Sequence, residues 1–346
     1  MSSSIGQNVR RGMVQCGVAA VLFGAATPAA AKLGEHLSAF TLAGVLYLGA
    51  GIAMLPFARG LPDRDAARRG APRLATAVLF GGMLGPVCLM LALDRAPSSS
   101  VSLLLNLEVV FTVLLAGLVF HEHLGRRVLA GTVAIAAAGV LLGWSGAVDL
   151  RIGAALAVAA CACWAVDNTV TANLTAFTPA QITLTKGFVA GTANSVIGLT
   201  AHGSFDAGAL GLALLVGAVG YGASIMLWIT GAREIGAARG QLLFAVAPFI
   251  GAALSWWLLD EPVTARAFVA LALAATGVGL VLHSGHSHRH VHTAVDHEHE
   301  HVHDDGHHDH EHPDGFRGRH SHPHHHDAVE HAHEHVPDLH HKHTHA

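Results

Sequence analysis

Residues 102–127 read SLLLNLEVVFTVLLAGLVFHEHLGRR, an apolar run interrupted by Asn106 and Glu108 and closed by Glu122 and two arginines. Crossing about 30 Å of hydrocarbon takes roughly 20 helical residues, so a run of this length with a charged stop reads as a membrane span. The stop recurs. FHEHLGRR at 120–127 lies over LDEPVTAR at 259–266, with Glu122 over Glu261 and Arg127 over Arg266, an offset of 139 residues. A repeat of five spans starts its second copy on the opposite face of the membrane, which makes an inverted repeat of the kind that builds secondary transporters.

Outward from that stretch, apolar runs near spanning length recur at 13–31, 39–58, 74–93, 99–120, 127–144, 152–172, 180–201, 207–229, 235–258 and 265–283. The expected fold is all-α and integral to the membrane, with ten transmembrane helices in two inverted five-helix repeats, 13–145 and 152–283. Residues 1–12 form a cytoplasmic N-terminus, 146–151 connect the repeats, and 284–346 form a disordered His-rich tail. Composition agrees: 52% of residues are hydrophobic, 13% are charged and mean hydropathy is +0.46, values outside the range of an ordinary soluble domain.

Orientation follows from arginine and lysine in the short loops, which favour the cytoplasm. Arg10, Arg11, Arg59, Arg64, Arg68, Arg69, Arg73, Arg126, Arg127, Arg233 and Arg239 share one side, against Lys32, Arg95, Arg151 and Arg266 on the other. Both termini are therefore expected in the cytoplasm. Arg10, Arg11 and the small residues at 29–31 also imitate a secretory signal. Its removal would leave an odd number of spans, which this charge pattern does not support. Cys16, Cys88, Cys161 and Cys163 lie in apolar stretches with no CxxC pair and read as packing residues.

Phe23-Gly24 with Pro28, Leu93-Asp94 before a small-residue turn, Glu122 and its echo Glu261 together resemble EamA-type members of the drug/metabolite transporter superfamily. The 81–86 GGMLGP, 102–112 with Asn106 and Glu108, 164–168, Lys186-Gly187, and 236–239 with Pro248 look like one branch of it. The resemblance covers both halves and stops at the tail. It implies ten helices, cytoplasmic termini and gradient- or exchange-driven transport; for Glu122, Glu261 and Pro248 it implies structural or gating roles. It does not specify a substrate.

Ionisable groups inside a membrane are costly and mark functional candidates. Glu108 lies roughly 14 Å into the fourth span, near mid-bilayer. Asp167 and Lys186 fall at equal depth on consecutive antiparallel spans, a spacing that allows an ion pair serving either helix register or a substrate path. Asn106, Asn168 and Tyr221, the last between Gly220 and Gly222, complete the candidate pathway. Gly81-x3-Gly85, Gly187-x3-Gly191 and Gly236-x3-Gly240 read as close helix packing.

An enzyme is not expected, since the chain has no Gly-x4-Gly-Lys loop, no HExxH and no plausible triad. In the tail His alternates with Asp and Glu, and His297, His299, His301, His307, His308, His310, His324, His325, His326, His331, His333 and His335 are candidate ligands for divalent transition metal. A purification tag and loose binding without purpose are the bland alternatives. The favoured function is a secondary transporter, an exporter of a small metabolite or amphipathic compound, with a metal-binding tail. A zinc, nickel or cobalt exporter and a membrane-bound metal sensor are the alternatives. No cofactor is required; the partners are the lipid bilayer of a bacterial inner membrane, a small-molecule substrate and metal at the tail, not nucleic acid, and a homodimer is compatible.

Overall fold

The computed structural model of the protein describes residues 2–60, 64–119, 125–144, 148–172, 174, 176–202, 206–235 and 237–282, and in the tail 286–292, 295–301, 320–326 and 329–335. The chain divides into two compact units, Met1–Ser284 and Gly285–Ala346.

The first unit is all-helical. Its rods are α1 Ser2–Gly34, α2 Ala39–Met54, α3 over 64–93, α4 in two pieces Ser98–Leu104 and Leu107–Val119, and α5 Arg126–Gly143. The second half supplies α6 Val148–Ala172, α7 Pro179–His202, α8 Ala207–Ile235, α9 in two pieces Ala237–Phe244 and Ala247–Leu258, and α10 Ala265–Leu282. Among the described residues six helices are long and apolar enough to cross a membrane, and 39–54, 247–258 and 265–281 are shorter apolar helices. The packing is inside-out relative to a soluble protein. Val133, Trp257 and Phe268 are 66%, 75% and 62% exposed, whereas Asn106, Lys186 and Asp167 are 1%, 3% and 6% exposed.

Several expected boundaries move. The helix of α1 already includes most of the segment assigned to a cytoplasmic N-terminus, and α3 begins at 64 rather than 74. The reason is physical: hydropathy reports where lipid would be, whereas a helix continues into water while its hydrogen bonds hold.

Two features repeat that hydropathy does not reveal. A π-helical segment, Ala77–Leu84, lies within α3 and another, Gly217–Ala223, within α8. Helix α4 breaks between Leu104 and Leu107, and α9 between Phe244 and Ala247, an offset of 140 residues. Pro248 explains the α9 break, because it has no N–H for the carbonyl one turn back and stands in the first turn of the following piece. At the α4 break the Asn106 amide takes the Leu103 carbonyl at 3.0 Å, and the Cys161 thiol donates to the Leu104 and Leu105 carbonyls at 3.5 and 3.7 Å.

α4 and α9 run antiparallel, with Ser98 beside Ser255 at 2.9 Å and Glu108 beside Gln241 further along. Glu261 closes one end of this pair, its two carboxyl oxygens accepting the Ser98 and Ser99 backbone N–H groups at 2.7 and 2.9 Å. These donors belong to the first turn of α4, where the helix has no partner of its own for them. At the same end His36 approaches Asp206 at 3.8 Å. At the other end Gln181 reaches the Gly60 carbonyl at 2.9 Å, and Arg233 donates to Leu174 and Phe177.

α2 and α7 meet backbone to backbone. A side chain on Gly187 would collide with Gly51, one on Gly44 with Ser195, and one on Gly198 with Thr41.

In the second unit β1 His286–His292 pairs antiparallel with β4 Val329–His335, and β2 Val295–His301 with β3 His320–His326. For most of each strand the histidines alternate with other residue types, and a period of two is the strand's own. The register sets His297, His299 and His301 opposite His324, His322 and His320. It sets His331, His333 and His335 opposite His290, His288 and His286, while His325 and His326 face Asp296 and Val295. His307, His308 and His310 lie outside the described residues, as does Glu122.

Gly187→Ala is expected to destabilise the bundle by about 1–3 kcal/mol through overpacking, measured by reversible unfolding in mixed micelles; Val133→Ala on the exposed face should change it by about 0.5 kcal/mol or less. Glu261→Ala should cost about 1–3 kcal/mol in the same measurement, because two backbone N–H groups lose their acceptor. Equal stability of Glu261→Ala and the parent would show that water replaces the carboxylate at no cost.

Candidate functional site

The site grows out of the two irregular places in α3 and α4. In α3 the π-helical segment contains Gly81 and Gly82 and is followed by Pro86, which cannot donate to the carbonyls of the preceding turn. The Gly81 carbonyl instead accepts the Tyr47 hydroxyl at 2.6 Å and the Trp164 indole N–H at 3.4 Å. The Asn194 amide lies 3.3 Å from the Met83 carbonyl. π-Helical turns of this kind occur preferentially at functional sites.

Gly81 also faces the buried charges. A side chain there would fall on the Asp167 carboxylate. Asp167 receives the Lys186 ammonium on both oxygens, at 2.6 and 2.7 Å, and the Thr171 hydroxyl at 3.0 Å. The two side chains placed at matching depth by sequence are therefore in direct contact, across α6 and α7. An ion pair this buried is costly to break from one side, since the remaining charge keeps its desolvation penalty.

Glu108 occupies the first turn of the second piece of α4 and is 8% exposed. The Asn168 amide donates to its Oε1 at 2.6 Å and the Gln241 amide to the same oxygen at 2.8 Å. Helices α4, α6 and α9 thus converge on one carboxyl group. Asn168, a candidate from sequence, donates to Glu108, whereas the Asn106 amide is spent on the Leu103 carbonyl at the α4 break. Gln241 was not anticipated: the 139-residue offset that aligns the two stops sets it against Ser102, not against Glu108.

Aromatic rings wall this region. Phe23 stacks edge-on with Trp164 and Tyr221 at centroid distances of 5.7 and 5.6 Å and lies 5.4 Å from Phe244; Tyr47 meets Tyr221 at 5.6 Å. Tyr221, singled out for its flanking glycines, is 1% exposed and sits in the π-helical segment of α8. Pro248 lies beside the site as the cause of the α9 break, and Glu261 lies at the far end of α4 as a cap.

A separate cavity of about 1530 Å³ opens among the ends of α1, α2, α3, α4 and α9, lined by Pro28, Lys32, Glu35, Asp94, Arg95 and Glu261 among others. Among the described residues no three His, Cys, Asp or Glu side chains come together as a metal site.

Known proteins share this architecture. An uncharacterized transporter of Methanothermobacter thermautotrophicus is 26% identical over 223 residues, covering 61% of this chain and 64% of the relative's length. A protein solved by crystallography aligns with a TM-score of 0.57 at 17% identity, over 78% of this chain and 94% of its own, a likeness of fold alone. The family model of EamA-like transporters matches twice, over residues 10–144 and 151–283, one match for each half with its π-helical segment and broken helix. This chain, an integral multi-pass membrane protein, therefore belongs to the EamA-like transporter family.

Proposed function

We propose that the protein is a secondary transporter, not an enzyme, that exports a small metabolite or amphipathic compound across a bacterial inner membrane, with ten spans, two inverted repeats and cytoplasmic termini. The observation that carries this reading is the pair of broken helices α4 and α9 at matching positions of the two halves, with Glu108 held between them by Asn168 and Gln241. Discontinuous helices at mid-bilayer, at the junction of repeats, are where secondary transporters place substrate sites. Contacts between loops support the alternation of spans. His36 with Asp206 and Gln181 with Gly60 join loops that ten crossings would put on common faces.

The charged pair beside Gly81 serves this function by fixing α6 against α7, so that Asn168 is presented to Glu108. The site's polar groups are carboxyl, amide and aromatic. Such a set suits an organic molecule better than zinc, nickel or cobalt, which favour imidazole and thiolate. Metal binding is assigned to the tail instead, where cross-strand histidines share one ladder register, and with a substrate in the body the sensor reading becomes unnecessary.

Reporter fusions at both ends should place both termini in the cytoplasm, and a split result would end the inverted-repeat reading. In proteoliposomes scanned with a panel of metabolites, Glu108→Gln should lower flux at least tenfold while the protein stays monodisperse; undiminished flux would remove Glu108 from the pathway. Asp167→Asn or Lys186→Met alone should destabilise by about 3–5 kcal/mol, with Asp167→Leu plus Lys186→Met recovering most of that. A chain ending at residue 283 should keep its flux and lose zinc retention in equilibrium dialysis; unchanged retention would detach metal binding from the tail.

A further inference from the structure

Three amides meet where α4, α6 and α9 converge, Asn106 buried and Asn168 and Gln241 half-buried, and each is oriented by the group that accepts from it. The Asn106 amide nitrogen donates to the Leu103 carbonyl, and those of Asn168 and Gln241 donate to the Glu108 carboxyl. Turning Asn106 round would set its oxygen against the Leu103 carbonyl, and turning Asn168 or Gln241 round would set oxygen against an ionised Glu108. The consequence is a surplus of acceptors. Asn106 Oδ1 and Gln241 Oε1 are buried with no hydrogen-bond partner among the described residues, and so is the Ser102 hydroxyl one turn earlier. Asn106 as a whole is 1% exposed. A buried acceptor without a donor is costly, and the one on Gln241 belongs to an amide that already donates to the Glu108 carboxyl, whose Oε1 collects two donors.

A cluster so short of donors is complementary to a ligand that brings several N–H bonds and a positive charge. The neighbouring aromatic side chains point the same way. Trp164 stands one helical turn before Asn168, Phe244 three residues after Gln241, and Phe23 touches both rings. Aromatic faces attract ammonium groups and accommodate apolar bodies. A metal ion such as sodium could also use oxygen ligands, but it brings no N–H donors and no apolar body to lie against the three rings.

We propose that the site recognises its substrate through a protonated amine. The ammonium group pairs with Glu108 and donates to Asn106 Oδ1 and Gln241 Oε1, while the rest of an organic monoamine lies against Phe23, Trp164 and Phe244. This inference deepens the transport reading and rests on it for the word substrate, though the binding chemistry stands alone.

Isothermal titration of the full-length protein in nanodiscs with phenethylamine, 2-phenylethanol, phenylacetate and sodium chloride tests it. The amine should bind at least tenfold more tightly than the alcohol, and phenylacetate more weakly than either. Glu108→Gln should erase the preference for amine over alcohol, and Asn106→Leu and Gln241→Leu should each weaken the amine by a larger factor than the alcohol, which brings a single donor. If any variant fails to fold, the ranking by the parent protein decides alone. Equal binding of amine and alcohol, tighter binding of phenylacetate, or a response to sodium without one to the amine would overturn the proposal. Amine binding without amine flux in proteoliposomes would sink the transport reading and leave the amine site intact; flux of other compounds with no preference for amines would do the reverse.

Discussion

Hydrocarbon offers no partner to a backbone carbonyl, and everything unusual in this bundle follows from that constraint. Where α3 loosens into its π-helical turn, the freed Gly81 carbonyl takes the hydroxyl of Tyr47 and the indole of Trp164. Where α4 breaks, the Asn106 amide and the Cys161 thiol cover the exposed carbonyls. Each repair recruits a side chain from another helix or from the break itself. The irregular places therefore become the points at which α2, α3, α4, α6 and α9 are tied together, and the same places hold the buried carboxyl groups.

The two carboxylates are treated differently. Asp167 is neutralised within the protein by Lys186 and held by Thr171, so its charge is used to fix helix against helix. Among the described residues, the donors to the Glu108 side chain are the amides of Asn168 and Gln241. An amide supplies a hydrogen bond but no charge, so a negative Glu108 would still lack a counter-ion. Division of labour between a structural ion pair and an uncompensated carboxyl group lets one rigid element position the other without competing for the same partner.

Much of this was legible in the sequence. Glu108, Asp167 and Lys186 stand out because charge in a long apolar run is expensive, and equal depth on consecutive antiparallel spans brings Asp167 to Lys186. The repeated Glu-x4-Arg stop exposed the two halves. What remained hidden had weaker signals. Gln241 lies in a segment whose polar residues read as the entrance to a span, and a π-helical turn has no hydropathy signature. Tyr47 carries no charge to mark it within its apolar run, although its hydroxyl donates to the Gly81 carbonyl.

Gly81 carries neither charge nor side chain, yet a methyl group there would occupy the volume of the Asp167 carboxylate. The position that governs whether a salt bridge can exist thus lies outside the salt bridge, on another helix. Variation during evolution could exchange acid and base partners in concert and still keep an ion pair, whereas any side chain at residue 81 requires the Asp167 carboxylate to shift. For this membrane interior, the narrowest choice of amino acid belongs to the smallest one.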